Sequence, residues 1–237
     1  MTILKLLCAC LFVVCAVPVA QARDLGVVEN VTATLEQRQV DGRLRDILIL
    51  RPTVPTTPEG ELQPALLLLE YLHGTPVDMA DLTEAATLVR DHGITVLLPS
   101  SSNGRWNFGS AAFAGVIDDV SFLDQVIDDA LRRFPIDPRR IYMGGYSNGA
   151  QMTQRYICDR TGRIAAGAVI AGSIHNADRR RCRPSLPTPM LVIHGTDDGQ
   201  INYAGNLTYT SSPATASRRR RPLATMARIR AGAAIAS

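Results

Sequence analysis

Short apolar runs alternate with helical patterns along the middle of this chain. Four runs contain few polar positions, as expected for strands that are buried on both faces of a sheet. The runs occupy residues 65–72, 94–98, 165–171 and 190–193. Residues 79–91 and 118–134 instead repeat apolar side chains at helical spacing. This alternation predicts an α/β fold, with a mostly parallel sheet and helices on both faces.

The N-terminus has the pattern of an export signal. Lys5 supplies a positive charge, residues 6–19 are apolar, and residues 20–22 read Ala-Gln-Ala, which suits a cleavage site. We expect residues 1–22 to be a signal peptide that is removed. The mature protein would then be secreted or periplasmic, with no membrane association after signal removal.

The C-terminal segment differs from the rest of the chain in charge. Residues 24–209 contain 17 arginines and all 22 acidic residues, whereas residues 210–237 contain six arginines and no acid. We expect the folded domain at residues 23–209 and a basic, disordered tail at residues 210–237. Basic runs also occur in nucleic-acid-binding arms, but an exported protein is not expected to have a nucleic-acid partner.

Two cysteines remain once the expected signal is removed, because three of the five lie within it. The remaining pair is Cys158 and Cys182. In an exported chain, two cysteines predict one disulfide. Two separate buried thiols are the alternative.

Residues 145–149 read G-x-S-x-G and are the strongest candidate for chemistry. They follow an apolar run and precede a helical pattern, which is the context of a nucleophile elbow. The flanking glycines permit a tight turn that raises the Ser147 hydroxyl above the end of the sheet, at the start of a helix. This pattern predicts Ser147 as a nucleophile, and a plain turn is the alternative.

A second motif predicts an oxyanion hole. Residues 72–75 read Leu-His-Gly-Thr directly after a buried strand, where a Gly-rich turn supplies a backbone N–H group. We expect Thr75 to be this donor, with Gly74 as the next candidate. The second donor is the amide of Asn148, the residue after the nucleophile. We expect His73 to shape the turn.

The acid that orients the base is expected after a late strand. Residues 194–198 read His-Gly-Thr-Asp-Asp and follow the run at 190–193. In the chain order Ser…Asp…His, this loop carries the acid. We expect Asp198 in this role, with Asp197 as the reserve, although an aspartate in a turn also binds its own backbone.

The base of the triad is the difficulty, because no histidine follows Asp198. The four histidines are His73, His92, His175 and His194. Among them, His175 is the possible stand-in base, since it follows the strand expected at residues 165–171.

Six motifs together suggest a family. They are Tyr-Leu-His-Gly at 71–74, Trp-Asn at 106–107, Asp-Asp-Val-Ser-Phe-Leu at 118–123, Ile-Asp-Pro-Arg-Arg-Ile-Tyr at 136–142, Gly-Tyr-Ser-Asn-Gly-Ala at 145–150 and His-Gly-Thr-Asp-Asp at 194–198. In this order they resemble the polyhydroxybutyrate depolymerase and feruloyl esterase group of secreted α/β-hydrolases. The resemblance implies an α/β-hydrolase fold, Ser147 as the nucleophile, Asp198 as the triad acid and a bridge between Cys158 and Cys182.

The resemblance covers about residues 44–203 and ends before the C-terminus. Members of the group carry the triad histidine in a Gly-rich loop near the end, and nothing after Tyr209 matches it. The change of composition there suggests a reading-frame shift or a truncation. We therefore expect a missing C-terminal strand, helix and histidine loop, an impaired site, an exposed sheet edge and poor solubility.

The function implied by the resemblance is that of a secreted serine esterase that forms an acyl-enzyme on Ser147. Its substrate would be a carboxylic ester of the polyhydroxyalkanoate or feruloyl type, from a polyester or a plant-cell-wall aromatic ester. The alternatives are a non-catalytic secreted binding protein with a pocket around Trp106, and a small-substrate hydrolase or peptidase. Trp106 itself either stacks on an aromatic ligand or is a packed anchor of its loop, which is the commoner role. No metal-ligand spacing or phosphate-binding loop occurs, so we expect no cofactor and no metal.

Overall fold

The computed structural model of the 237-residue chain describes residues 28–54, 58, 60–109, 117–174 and 182–203. The expected signal peptide, the basic tail and His175 lie outside these ranges.

Seven strands and four helices follow one another in the described ranges. In chain order they are β1 (Val31–Val40), β2 (Arg43–Pro52), β3 (Gln63–Leu69), α1 (Pro76–Leu82), α2 (Ala85–His92), β4 (Thr95–Pro99), α3 (Asp119–Arg133), β5 (Ile136–Tyr146), α4 (Asn148–Asp159), β6 (Ala166–Ile170) and β7 (Met190–Ile193). None of the helices described is long and apolar enough to cross a membrane.

The strands form one mixed sheet in the order β1-β2-β4-β3-β5-β6-β7. Every neighbouring pair from β4 to β7 is parallel, whereas β1 pairs antiparallel with β2, and β2 antiparallel with β4. Helices α1 and α2 join β3 to β4, and α4 joins β5 to β6, as the sequence predicts. The fold is therefore an α/β-hydrolase fold.

Apolar side chains of the central strands are divided between the two faces of the sheet. In β2, Ile47 and Ile49 join the core under α3 and α4, while Leu48 and Leu50 join the core under α1 and α2. Strands with both faces buried have few polar positions. This packing explains the near-continuous apolar runs in the sequence.

Two local features differ from the predictions. No strand is expected at β1, because this edge strand exposes many of its residues and carries many polar side chains. The helix expected at residues 79–91 is instead two helices, separated at Thr83 and Glu84. Thr83 Oγ1 donates to Met79 O at 2.7 Å and Glu84 has a positive φ of 49°, so the chain turns between α1 and α2.

Two features lie at the far end of the sheet: the disulfide expected from the sequence, and β7, the last strand in the described residues. Cys158 in α4 is bonded to Cys182, which confirms the predicted pairing. At the edge strand β7, the side chains of Leu191, Val192 and Ile193 are all at least half exposed. The effect of this apolar edge on solubility stays a prediction.

Candidate active site

Ser147 occupies a strained turn between β5 and α4. Its φ of 52° and ψ of −111° lie in a region that residues other than glycine rarely adopt. The Ser147 amide donates to Ile170 O at 2.9 Å, and its carbonyl accepts from the Gln151 amide at 3.1 Å. The strand, turn and helix therefore have the local geometry expected of a nucleophile elbow, and the Ser147 residue is half-buried.

Glycines allow the backbone of the elbow to pack against its neighbours. A Cβ atom placed on Gly145 would overlap the backbone of Gly149, and one placed on Gly149 would overlap Leu69 O at the end of β3. No side chain fits at either position. The two glycines of the G-x-S-x-G motif thus bring the start of α4 against the ends of β3 and β5.

Asn148 begins α4, and its amide is well placed to bind an anion. The first N–H groups of a helix have no acceptor within the helix, and no side chain caps α4. The Asn148 side chain is buried, and its Oδ1 accepts from the Trp106 amide at 2.8 Å. This bond fixes the residue whose amide is expected to contribute to the oxyanion hole.

In the turn after β3, the backbone amides of Gly74 and Thr75 donate hydrogen bonds to neighbouring residues. The Thr75 amide donates to Asp78 Oδ2 at 3.0 Å, and Thr75 Oγ1 accepts from the Asp78 amide at 3.1 Å, which is a capping box at the start of α1. The Gly74 amide donates to Tyr71 O at 2.9 Å. Both expected donors of this turn are therefore engaged by neighbouring residues, and Thr75 reaches a substrate oxygen only if Asp78 releases it.

His73 shapes this turn, in agreement with the prediction from the sequence. It has a positive φ of 61°, and its amide donates to Gly104 O at 2.7 Å. The contact joins the turn after β3 to the loop of residues 100–109.

Asp198 lies in the loop after β7, and its carboxylate is held by backbone groups. Its Oδ1 accepts from the amides of Ile201 at 2.9 Å and Gln200 at 2.8 Å. These bonds, with a smaller contribution from His194, hold the pKa of Asp198 below its ordinary value. The carboxylate is therefore ionised at neutral pH, as an orienting acid requires, whereas its neighbour Asp197 is exposed.

His194 contacts Asp198 at the end of β7. Its Nε2 is 3.2 Å from Asp198 Oδ2 and 2.6 Å from Ile201 O. This nitrogen is therefore occupied by groups of its own loop. His175, the possible stand-in base, lies outside the described residues.

Sheet topology brings the carboxyl ends of β3, β5 and β7 to the same edge of the sheet. The elbow follows β5, the Thr75 turn follows the neighbouring β3, and the Asp198 loop follows β7, which is two strands away on the other side. Neighbouring strands are about 4.8 Å apart, so the backbones at Ser147 and His194 are separated by roughly 10 Å. A ligand in the crevice at these carboxyl ends would meet all three segments.

Trp106 is a packing anchor and does not line a pocket. Its side chain is completely buried, its Nε1–H donates to Glu70 O at 3.1 Å, and the guanidinium of Arg45 lies 5.3 Å from its ring centroid. The suggested pocket around Trp106 is therefore wrong for this conformation, because the ring presents no face to a ligand.

Two charged residues near the site are not singled out by any motif. Glu70 and Arg45 are 1% and 2% exposed, and burial raises the pKa of Glu70 to about 7. The signal in the sequence is a single acid within the apolar run at residues 65–72, beside the candidate oxyanion turn. Among the described residues, no cluster of His, Cys, Asp and Glu could hold a metal ion.

Comparison with known proteins agrees with this geometry. No family model matches the chain. It is 27% identical to a bifunctional acetylxylan esterase/xylanase of Neocallimastix patriciarum over 71% of the chain, and 29% identical to feruloyl esterase B of Piromyces equi over 60%. The matches span 23% and 28% of those relatives, so the chain covers about a quarter of their length.

A solved structure of a thermostable esterase shares the fold. It superimposes with a TM-score of 0.59 at 19% identity, over 74% of this chain and 49% of that one. The chain thus has the α/β-hydrolase fold, and in sequence it is similar to a group of proteins named feruloyl and acetylxylan esterases.

Proposed function

We propose that this chain is an exported serine esterase that hydrolyses carboxylic esters through an acyl-enzyme on Ser147. The observation that carries the proposal is the strained turn of Ser147 at the uncapped start of α4. Strain of this kind persists where the surrounding structure imposes it, and it is concentrated at functional sites. The esterase relatives support the reaction class.

In the proposed reaction, Ser147 Oγ attacks the ester carbonyl carbon and loses its proton to a base. The carbonyl oxygen becomes an oxyanion that accepts a hydrogen bond from the Asn148 amide. The alcohol then leaves with a proton, and water hydrolyses the acyl-enzyme to release the acid. Thr75 supplies a second amide when the capping contact with Asp78 opens.

The base limits this reaction in the 237-residue chain, because every histidine precedes Asp198. His194 directs its Nε2 toward Asp198 and Ile201 O. A serine without a base is a poor nucleophile, so we propose that the chain reacts slowly, with His175 as the remaining candidate base. Loss of a triad member lowers kcat by several orders of magnitude.

The proposed substrates are carboxylic esters of the feruloyl or polyhydroxyalkanoate type. Two relatives are named for feruloyl groups, and another for acetylxylan. Export is proposed from the signal-like N-terminus and is supported by the bridge between Cys158 and Cys182, since disulfides persist in oxidising compartments.

A fluorophosphonate probe tests the proposed nucleophile directly, because it reacts with activated serines. We expect slow labelling of the native protein, because no histidine follows Asp198 to act as the base. This labelling should be lost in Ser147→Ala and kept in Ser185→Ala, which changes an exposed serine outside the site. Slow hydrolysis of p-nitrophenyl acetate should follow the same pattern. A folded protein that neither labels nor hydrolyses the ester contradicts the proposal.

A further inference from the structure

Glu70 is a buried acid directly behind the candidate site. It follows β3, its side chain is 1% exposed, and its Oε1 accepts a hydrogen bond from the Ser101 amide. No described residue hydrogen-bonds to its Oε2. A buried carboxylate oxygen without a partner is costly, and the cost falls when the group binds a proton.

Glu70 holds the loop of residues 100–109 at two points. Its carboxyl group binds the Ser101 amide near the start of the loop, and its backbone carbonyl accepts from Trp106 Nε1–H at 3.1 Å. The Trp106 amide in turn donates to Asn148 Oδ1 at 2.8 Å. The carboxyl group and the backbone carbonyl of Glu70 therefore hold two points of one loop, and the second of these, Trp106, is bonded to the residue beside the nucleophile.

We propose that Glu70 is a positioning residue whose protonation state sets the position of the 100–109 loop and, through Trp106, that of Asn148. The consequence for the reaction rests on the function proposed above, because it acts through the Asn148 amide. The movement of the loop itself does not require catalysis.

The charges around Glu70 explain why its proton is held near neutral pH. Burial raises the pKa of Glu70 to about 7, against smaller opposing effects of the nearby Ser101 hydroxyl and amide and of Arg45 in β2. Arg45 is itself paired with Asp119 at the start of α3, at 2.7 Å. The pairing limits how far Arg45 can compensate an ionised Glu70.

Further charged or titratable residues lie at the same loop: Arg105 belongs to it, and the Asp46 amide in β2 donates to Ser100 Oγ at 2.8 Å. Arg43 donates to Ser102 Oγ at 2.7 Å, and the His73 amide donates to Gly104 O at 2.7 Å. The first turn of α4, residues 148–151, contains no titratable side chain. An effect of Glu70 on the loop therefore has to be distinguished from an effect of His73.

Ionisation of Glu70 changes the contacts of the loop in a definite way. The carboxylate strengthens the bond from the Ser101 amide, and it competes with Asp119 for the charge of Arg45. Asp119 Oδ2 also accepts from the Asn107 amide at 2.6 Å. The contacts of the loop on both sides of Trp106, at Ser101 and at Asn107, therefore depend on whether Glu70 carries a proton.

Trp106 is the only tryptophan of the chain, so its fluorescence reports on this loop alone. We expect emission of the native protein to change between pH 5 and pH 9 with a midpoint near 7, as the pKa of Glu70 indicates. Glu70→Gln, which keeps the shape of the side chain, should lose this transition. His73→Asn, which tolerates the positive φ, should keep it.

Ser101→Ala provides a second variant in case Glu70→Gln fails to fold by circular dichroism. The Ser101 hydroxyl has no hydrogen-bond partner in the structure, but it lies close enough to the Glu70 carboxyl group to favour the ionised form. Its removal should therefore move the midpoint to higher pH. Any one of four results would overturn the proposal. These are the absence of a fluorescence transition in the native protein, a transition kept in folded Glu70→Gln, a transition lost in His73→Asn, and an unmoved midpoint in Ser101→Ala.

The rate of fluorophosphonate labelling against pH separates this proposal from the proposed function. If Ser147 labels, the labelling rate should change over the same pH range as the fluorescence, and this part of the profile should vanish in Glu70→Gln. A Glu70-dependent fluorescence transition with no labelling supports the loop movement and contradicts the esterase. Labelling with an identical pH profile in Glu70→Gln supports the esterase and contradicts the positioning role.

Discussion

Arg45 Nη1 and Asp119 Oδ1 lie 2.7 Å apart, and the two side chains are 2% and 0% exposed. The guanidinium also lies 3.8 Å from the centroid of the Phe122 ring. This ion pair ties β2 to the start of α3, next to the loop that carries Trp106. Asp119 is therefore a buried partner of Arg45, a role beyond the favourable interaction of an acid with a helix start.

Breaking this pair should be costly from either side. Replacing one member leaves a buried charge without a partner, so Arg45→Met and Asp119→Leu should each lower the free energy of unfolding by about 3–5 kcal/mol. The double variant should lose less than the sum of the two, because it leaves no unpaired charge. Urea unfolding followed by far-ultraviolet circular dichroism measures all three, and strictly additive losses would contradict the pairing.

Backbone strain at Ser147 should be measurable as stability. Glycine adopts the observed φ of 52° without the steric cost that a Cβ atom imposes. The free energy of unfolding of Ser147→Gly should therefore be about 1 kcal/mol higher than that of Ser147→Ala, which lacks the hydroxyl but keeps the Cβ atom. Both variants lose fluorophosphonate labelling. Equal stability of the two would show that the turn is not strained.

Close packing at Gly149 predicts a different kind of loss. A methyl group there would overlap Leu69 O at the end of β3, so Gly149→Ala should destabilise the protein by about 2 kcal/mol or more. The loss should exceed the gain of about 1 kcal/mol that alanine brings to a helix interior. Gly195→Ala is the matched control, because open space surrounds a Cβ atom at Gly195. Thermal unfolding of both variants shows whether only the first is affected.

The elements that the sequence predicts well are those with a strong local pattern. Helix α3 has an apolar stripe, Asp118 at its N-cap and two arginines in its last turn, and it is found within one residue of the prediction. The elbow at Ser147 is predicted from its glycines and its flanking elements. The capping box of Thr75 and Asp78 is local as well, but from the sequence we expect Thr75 only as an oxyanion-hole donor.

The features that the sequence does not predict depend on contacts between residues that are far apart in the chain. Edge strand β1 pairs along its length with β2, and its polar residues conceal this. Glu70 and Arg45 are charged residues that become buried because Ser101 and Asp119, which are far along the chain, supply their partners. The local pattern of apolar and polar positions contains no information about such pairs.

The pKa of Glu70 predicts how stability changes with pH. Its ordinary value of 4.5 applies to the unfolded chain, and burial raises the folded value to about 7. Between these two values the unfolded chain releases the proton that the folded protein retains. The contribution of Glu70 to stability is therefore fully present below pH 4.5 and is lost as the pH rises through 7.

Glu70→Gln removes this dependence, because glutamine stays neutral. Relative to the native protein, the variant should gain stability as the pH is raised from 4.5 to above 7, by on the order of 3 kcal/mol in total. Urea unfolding at intervals from pH 4 to pH 8.5 measures the difference. Glu84→Gln, at an exposed position, serves as the control and should follow the native protein across the range. A native protein and a Glu70→Gln variant with parallel stability profiles would show that Glu70 ionises normally, in spite of its burial behind the site.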